Sequence, residues 1–377
     1  MKKRLLNLIN ICIITSFFTA CGGGGGSSTQ TITFKPDVSQ TDITSLGTAI
    51  DYSEYAWSIN STSLNTNYAS TYNIDSDAHI SLPSSTSTSK IKVAIIDQGF
   101  EFNHPDIYDK ILEVKYITNT SLNSEYHGTT VAGIIASSSL GVAPDNVELI
   151  LININFDTVQ EAGLIQAFNY AKEAGAKIIN CSWGTTYDEG EAYSFSQTYL
   201  NTLADLKAAG INIVFAAGNS SLDLDTNWGD ESELDSVIGV GATSVLNDVT
   251  DYSNYGSSLD IIAPGGGGTS NNNNLLGILS IDLYGEPGDE QTLGLVDDSY
   301  GFTSGTSFAA PTTSGVIALM LSVNPNLTPE QIRQILINTA DKVGGANANY
   351  DINGFDTYRA YGKLNAGAAI QAAINAI

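Results

Sequence analysis

The sequence predicts a three-layer α/β fold, in which helices cover both faces of a doubly wound, mostly parallel β-sheet. Apolar runs without polar alternation, such as 92–96 and 147–153, are typical of strands buried on both faces of a parallel sheet. Amphipathic segments that end at a glycine, such as 162–174, alternate with these runs. Alternation of strands and helices from residue 91 onward indicates this class of fold.

The individual elements follow from the same patterns in chain order. The buried-type strands are predicted at 92–96, 147–153, 177–181, 211–215, 237–240 and 260–263. Helices are predicted at 127–136, 162–174, 194–209, 328–340 and 364–377, the fourth opened by a capping box from Thr328 to Gln331. The glycine- and asparagine-rich stretch 264–300 is expected to be a flexible surface loop.

Composition and charge exclude some classes of partner. The chain has 377 residues, is 42% hydrophobic and carries a formal net charge of −25. This length suits one large domain or two ordinary ones. No run of lysine or arginine interrupts the acidity after the N-terminus, which argues against binding nucleic acid or an anionic membrane surface. We expect a monomer.

The N-terminus has the composition of a targeting segment. Three basic residues precede the apolar stretch 5–18, which is too short for a lasting membrane span. Cys21 follows Ala20 and precedes five glycines, a pattern that resembles a bacterial lipoprotein signal with Cys21 as the lipidated residue. An ordinary secretory signal cut after Ala20 is the alternative. Removal of the signal with Cys12 and lipidation of Cys21 would leave Cys181 as the one free thiol.

The N-terminal pattern also predicts the domain organisation and the cellular location of the protein. We expect a signal peptide at 1–20, a Gly/Ser-rich tether and linker at 21–50, an N-terminal arm packing on the main domain at 51–90, and the main domain at 91–377. Gly22 after the cysteine favours an extracytoplasmic protein anchored by lipid to the outer membrane, on its periplasmic face or at the cell surface.

Polar side chains lie where the predicted strands end, which is where ligands bind in such sheets. Asp97 directly follows the strand 92–96, and a carboxylate there is costly unless it is paired. His127 opens a helix of small residues that can lie close to the sheet. Asn219 follows the strand 211–215 and can donate to a developing negative charge. Taken singly, each has an ordinary structural interpretation as a turn or helix-start residue.

Ser307 lies in the segment GTSFAAP at 305–311, ahead of the apolar run 315–321. This pattern predicts a serine on the first turn of a buried helix, with Pro311 near the same turn. The serine hydroxyl would then lie at the positive end of the helix dipole, although a helix-capping serine is the alternative. The order Asp97, His127, Ser307 differs from the order in α/β-hydrolases and from that in chymotrypsin-like proteins.

Together, these segments resemble the subtilase family of serine proteases over about residues 57–377. The motifs that carry the resemblance are DQG at 97–99, NHPD at 103–106, HGTTVAG at 127–133, NCSWG at 180–184, AAGN at 216–219, YSNYG at 252–256, IAPG at 262–265, GTSFAAP at 305–311 and YGKLN at 361–365. The resemblance implies a serine endopeptidase that cleaves protein or peptide substrates through an acyl-enzyme, with no cofactor required for the chemistry.

The resemblance also implies a role for each matching residue. Ser307 is the nucleophile, His127 the general base and Asp97 the residue that orients the histidine, while Asn219 and the Ser307 backbone N–H form the oxyanion hole. The substrate-binding residues are two short segments, one pairing with an extended substrate and both lining the primary specificity pocket. They are Ser182, Trp183 and Gly184, with Ala216, Ala217 and Gly218.

Some features leave alternatives open. Gln98 stands where the family usually has threonine or serine after the catalytic aspartate. The acidic stretch after Asn219 is a solvated surface, a structural calcium site with Asp223, Asp225 and Asp230 as weak candidate ligands, or a feature that favours basic substrate side chains. The alternative functions are acyl transfer or precursor processing by the same chemistry, and a catalytically silent surface-binding protein on the same scaffold.

Overall fold

A computed structural model describes residues 33–34, 90–117, 126–184, 194–226, 229–267, 277–283 and 299–376. The predicted signal peptide and Cys21 lie outside these residues, as do the tether and the N-terminal arm apart from residues 33–34 and 90. Residues 33–34 belong to the predicted linker and form a two-residue strand. The domain boundaries proposed for this part of the chain therefore stay predictions.

The core of the protein is an eight-stranded sheet in the order β1-β3-β4-β2-β5-β6-β7-β8. Its strands are β1 (Thr33–Phe34), β2 (Ile91–Asp97), β3 (Ile111–Tyr116), β4 (Val147–Asn153), β5 (Ile178–Cys181), β6 (Asn212–Ala216), β7 (Ile238–Thr243) and β8 (Ile261–Pro264). The seven strands from β3 to β8 in this order are parallel, and β1 pairs antiparallel with β3. A second, two-stranded antiparallel sheet pairs β9 (Ile278–Ile281) with β10 (Tyr300–Thr303).

Helices cover both faces of the large sheet. They are α1 (His127–Ala136), α2 (Glu161–Glu173), α3 (Gln197–Ala208), α4 (Thr306–Val323), α5 (Pro329–Thr339) and α6 (Ala366–Asn375). Buried residues of α1, α4, α5 and α6 form one apolar core with one face of the strands, and those of α2 and α3 form another with the opposite face. The predicted three-layer, mostly parallel α/β fold is confirmed.

The observed elements begin and end within one to three residues of most of the predicted bounds. The capping box at the start of α5 is present, with the Thr328 side chain accepting from Gln331 and the Gln331 side chain accepting from the Thr328 backbone. Strand β3 is not predicted, because Glu113 and Lys115 interrupt its apolar residues and leave no continuous apolar run. Such an interrupted pattern gives a weaker signal than the apolar runs of the central strands.

The prediction of a surface loop over 264–300 is wrong for residues 278–281. These residues form β9, which is buried throughout and packs against α1. A Cβ added to Gly133 of α1 would lie 2.5 Å from Ile281 Cγ1 and 2.6 Å from Ser280 Oγ. Helix α1 can therefore approach this strand only because residue 133 has no side chain, a contact between distant segments that local composition does not show.

Helix α4 runs through the middle of the protein. Among the described residues it is the one helix long and apolar enough to cross a membrane, but 89% of that stretch is buried inside the protein, as in a core helix. Pro311 is the sixth residue of α4 and so lies beyond the first turn expected for it. Since proline has no N–H, the Ser307 carbonyl loses the partner that an ordinary helix would supply.

The carboxyl ends of the parallel strands meet at one edge of the sheet. Asp97 ends β2, Ser182 follows β5, and residues 217–219 follow β6. The first residue of α1 and the first turn of α4 lie against this same edge through the contacts described below. The fold therefore collects at one edge the polar residues that the sequence separates by more than 200 positions.

Candidate active site

Asp97 and His127 form a hydrogen-bonded pair at the end of β2. The Asp97 side chain is fully buried, while 27% of the His127 side chain is exposed, and their Oδ1 and Nδ1 atoms are 2.8 Å apart. The same Oδ1 accepts a 2.8 Å hydrogen bond from the Gln98 N–H, so it acts as an acceptor and His127 Nδ1 carries the proton. This leaves Nε2 of the half-buried imidazole as the basic nitrogen. Within the described part of the chain, Asp97 Oδ2 accepts no hydrogen bond.

The start of α1 is fixed to the segment that follows β2. The Gly128 N–H donates to the Gln98 carbonyl at 2.9 Å, and the Thr129 N–H donates to the Gly99 carbonyl at 3.1 Å. A Cβ on residue 128 would lie 2.8 Å from the Gln98 carbonyl oxygen, so glycine permits this approach. The Gln98 side chain accepts from the Phe156 N–H at 3.0 Å, and its amide is therefore used to hold the loop after β4.

Ser307 is the second residue of α4 and is half-buried. The helix is preceded by Gly305, whose φ of 152° lies at the edge of the region that favours glycine. The Phe308 N–H donates to the Gly305 carbonyl at 3.0 Å, and the Ser307 hydroxyl lies at the positive end of the helix. The next residue, Phe308, places its ring 5.5 Å from the His127 ring.

Asn219 is held against the start of the same helix. Its Oδ1 accepts from the Thr306 N–H at 2.8 Å and from the Thr306 hydroxyl at 2.9 Å. The Thr306 Oγ1 in turn accepts from the Gly218 N–H at 3.0 Å. Since the amide oxygen is used in this way, the exposed Asn219 presents its Nδ2 group as the donor beside the first turn of α4.

The segment 182–184 is fixed by contacts on both sides of the sheet. The buried Ser182 Oγ accepts from Asn180 Nδ2 at 2.9 Å, and Asn180 Oδ1 accepts from Ser314 of α4 at 2.9 Å. Trp183 Nε1 donates to the Ile96 carbonyl at 2.8 Å, and its ring packs edge-on against Phe215 at 5.1 Å. The segment is therefore a rigid edge next to the end of β2.

Residues 216–218 form the neighbouring segment at the end of β6. Ala216 and Ala217 are buried, and Gly218 has a φ of 95°, which few residues other than glycine adopt. The Ala217 carbonyl accepts from Asn254 Nδ2 at 2.8 Å, while Gly218 uses its N–H for Thr306. The six predicted substrate-binding residues thus lie at or just after the ends of β5 and β6, where Trp183 contacts the end of β2 and Gly218 contacts the start of α4.

Most of the chain is similar in sequence to known proteins of one family. A family model described as Peptidase_S8, the subtilase family, matches residues 88–357. The chain belongs to the subtilase family. A subtilisin from Bacillus pumilus is 31% identical to this subtilase over 268 residues, which are 68% of this chain and 86% of that protein.

Two further comparisons describe the range of similarity. The calcium-dependent protease of Trichormus variabilis is 28% identical over 314 residues, covering 75% of this subtilase and 46% of the relative. The structure of a protease from Pseudoalteromonas arctica matches with a TM-score of 0.60 and 27% identity, covering 76% of this chain and 91% of that one. The subtilase spans only 39% to 46% of the length of several curated relatives.

The candidate calcium ligands of the subtilase do not come together. Among the described residues, no group of three or more His, Cys, Asp or Glu side chains is arranged to hold a metal ion. Asp223 Oδ1 accepts from the Asp225 N–H, Asp225 Oδ1 accepts from the Ser257 N–H and hydroxyl, and Asp230 caps a short 3₁₀ helix. These carboxylates are therefore used in separate local hydrogen bonds.

Two positioning residues of this subtilase were not singled out from the sequence. Thr306 connects Gly218 and Asn219 to the helix that carries Ser307. Asn254 holds the loop after β6 by donating to Ala217 and accepting from the N–H groups of Ser220 and Leu222 at 3.0 and 2.9 Å. Both lie in motifs that carry the family resemblance, but a motif does not show which partner its hydroxyl or amide contacts.

Proposed function

We propose that this chain is a serine endopeptidase that hydrolyses peptide bonds through an acyl-enzyme. The observation that carries the proposal is the 2.8 Å hydrogen bond between Asp97 and His127, made at the sheet edge where α4 begins with Ser307. It supplies an oriented base beside a serine at a helix start. Family membership and the subtilisin relative support the same reaction.

Each catalytic residue has a distinct role in this reaction. His127 Nε2 takes the proton of the Ser307 hydroxyl as its oxygen attacks the substrate carbonyl carbon, and later gives the proton to the leaving amine. Asp97 holds Nδ1 and stabilises the imidazolium that forms. The negative charge on the carbonyl oxygen is stabilised by Asn219 Nδ2 and the Ser307 N–H. His127 Nε2 then takes a proton from water as the water oxygen attacks the acyl carbon, and gives it to the Ser307 oxygen as the ester bond breaks and the acid product leaves.

A fluorophosphonate probe tests the proposal, because it reacts only with an activated serine. We expect the purified protein to be labelled and to cleave a general peptide library, and we expect Ser307→Ala to do neither. Ser304→Ala is the matched control, since Ser304 is an exposed serine three residues earlier and should leave labelling unchanged. A folded wild-type protein that neither reacts nor cleaves would instead indicate a binding protein on the same scaffold.

We also propose that Cys21 carries a lipid that anchors the enzyme outside the cytoplasm. The support is the basic segment, the apolar stretch and the Ala20-Cys21 pair followed by glycines. Cys21→Ser should move the protein from the membrane fraction to the soluble fraction. Cys12→Ser, a change within the apolar stretch, is the control and should leave the distribution unchanged. Equal fractionation of wild type and Cys21→Ser would contradict the anchor.

Calcium dependence is named for the relative from Trichormus variabilis. For this chain we propose no calcium site made of Asp223, Asp225 and Asp230, because their carboxylates serve separate turns and caps. The proposed chemistry uses only side chains and backbone N–H groups and has no step that needs a metal ion.

A further inference from the structure

The carboxyl group of Asp230 lies against the rigid edge segment 182–184. Its Oδ2 is 2.6 Å, and its Cγ 3.5 Å, from the position that a Cβ on Gly184 would occupy. The carboxylate thus fills the space of the missing side chain of Gly184. The family resemblance predicts that segment 182–184 pairs with an extended substrate, so the Asp230 carboxyl group lies directly against the predicted substrate edge.

Only one of the two carboxylate oxygens of Asp230 is needed by the local structure. Asp230 caps the 3₁₀ helix Glu231–Glu233, with Oδ1 accepting from the Ser232 N–H at 2.9 Å and from the Ser232 hydroxyl. Oδ2 accepts no hydrogen bond from the residues that the structure describes. A neutral serine or asparagine would cap this helix equally well. The capping role therefore does not explain why residue 230 is an acid with a second carboxylate oxygen.

Within the described part of the chain, Asp230 also has no cationic partner. It is 97% buried, and none of the ion pairs among the described residues includes it. Burial of a carboxylate is costly unless a positive charge or hydrogen bonds compensate for it. One oxygen is compensated by Ser232, and the other faces Gly184.

The environment of Asp230 disfavours the negatively charged form of its side chain. Burial, and next the charge of Glu231, raise the pKa of Asp230 to about 8, against the opposing effect of the Ser232 hydrogen bonds. Glu233 lies on the same short helix, and its charge also raises the pKa of Asp230. Tyr199 of α3 donates a hydrogen bond to Glu231, and burial and next the charge of Glu231 raise the pKa of Cys181 of β5.

We propose that Asp230 is a specificity-determining residue of this protease, and that it selects substrates with lysine or arginine immediately before the cleaved bond. The ammonium or guanidinium group would enter between segments 182–184 and 216–218 and pair with Asp230 Oδ2. The positive charge of such a substrate side chain would offset the free-energy cost of burying the Asp230 carboxylate. This inference rests on the proposed endopeptidase function.

Matched peptides test the proposal. Two fluorogenic substrates that differ only before the cut, with arginine in one and norleucine in the other, should show a preference for arginine on the order of 10- to 100-fold in kcat/KM, the size of a charged hydrogen bond. Asp230→Asn keeps the Oδ1 acceptor for Ser232 and should reduce this ratio to about 1. Glu233→Gln is the control: it removes one charge from the same helix while keeping the acceptor for the Asp230 N–H, and should preserve the ratio.

The pH dependence of the same ratio is a second readout. Burial and the charge of Glu231 raise the pKa of Asp230, so pairing with a cation requires loss of its proton, and the arginine preference should rise as the pH increases from 6 to 8. Taking the ratio of two substrates cancels the titration of His127. Asp230→Asn should give a ratio that does not change over this range.

The outcomes separate this inference from the proposed function. A protein that is not labelled by the fluorophosphonate probe contradicts the function itself. A labelled and active enzyme that prefers norleucine, or an Asp230→Asn variant with an unchanged ratio, overturns the specificity assignment and leaves the function intact. Thermal unfolding of each variant shows whether a lost preference comes from a misfolded cap.

Discussion

Asp97→Asn should lower kcat by about 10⁴-fold, the usual loss when the acid of a serine-protease triad becomes an amide. The asparagine can keep its oxygen toward the Gln98 N–H and His127 Nδ1, both of which now contact Asp97 Oδ1. What it cannot supply is the negative charge that stabilises the imidazolium in the transition state. KM should therefore change little, because the lost interaction develops only during the reaction.

Asp97→Ala separates orientation from charge. It removes both the acceptor for His127 and the charge, so a loss equal to that of Asp97→Asn would mean that the charge is the main contribution. Circular dichroism and thermal unfolding should be measured for both variants, because the Asp97 side chain is fully buried. A kcat for Asp97→Asn within about 10-fold of the wild-type value would contradict the role proposed for this residue.

Asn219→Asp should lower kcat by at least about 10²- to 10³-fold with little effect on KM. Aspartate keeps the Oδ1 acceptor that now receives the Thr306 N–H and hydroxyl, so the link to the start of α4 is retained. It removes the Nδ2 donor and places a negative charge where the substrate oxygen becomes negative. The loss should therefore reach or exceed that of removing one oxyanion donor.

Asn219→Ala and Thr306→Ser complete this comparison. Alanine removes the donor without adding a charge, and so measures the donor and the link to Thr306 together. Thr306→Ser keeps the hydroxyl that bridges Gly218 and Asn219, and should retain most of the activity. An Asn219→Asp variant with nearly wild-type kcat would show that the oxyanion is stabilised elsewhere.

Much of the fold is readable from local sequence. Strands such as β2 and β4 are buried on both faces, and this burial requires continuous apolar residues that are visible in a short window. The capping box of α5 is visible for a similar reason, since its hydrogen bonds join residues three positions apart. Strand β9 was missed because its burial comes from α1, a helix more than 140 residues earlier in the chain.

The candidate site, like the fold, is predictable from the sequence only in part. The residue types Asp97, His127, Asn219 and Ser307 could be selected from the sequence, since each sits at the end of a strand or the start of a helix. Their order along the chain indicated the family. Asp97 and His127 are in contact because β2 and α1 are joined by backbone hydrogen bonds to Gln98 and Gly99.

Asp230 shows what the sequence left open. Its acidic stretch was compatible with a solvated surface, a calcium site or a preference for basic substrates, because composition does not tell which way a carboxylate faces. The linear sequence was sufficient for the parallel sheet and for the chemical groups at its edge, since both depend on short-range patterns. Only the tertiary structure placed one oxygen of Asp230 against Gly184, because that contact joins two segments separated by 46 positions and depends on the absence of a side chain at one of them.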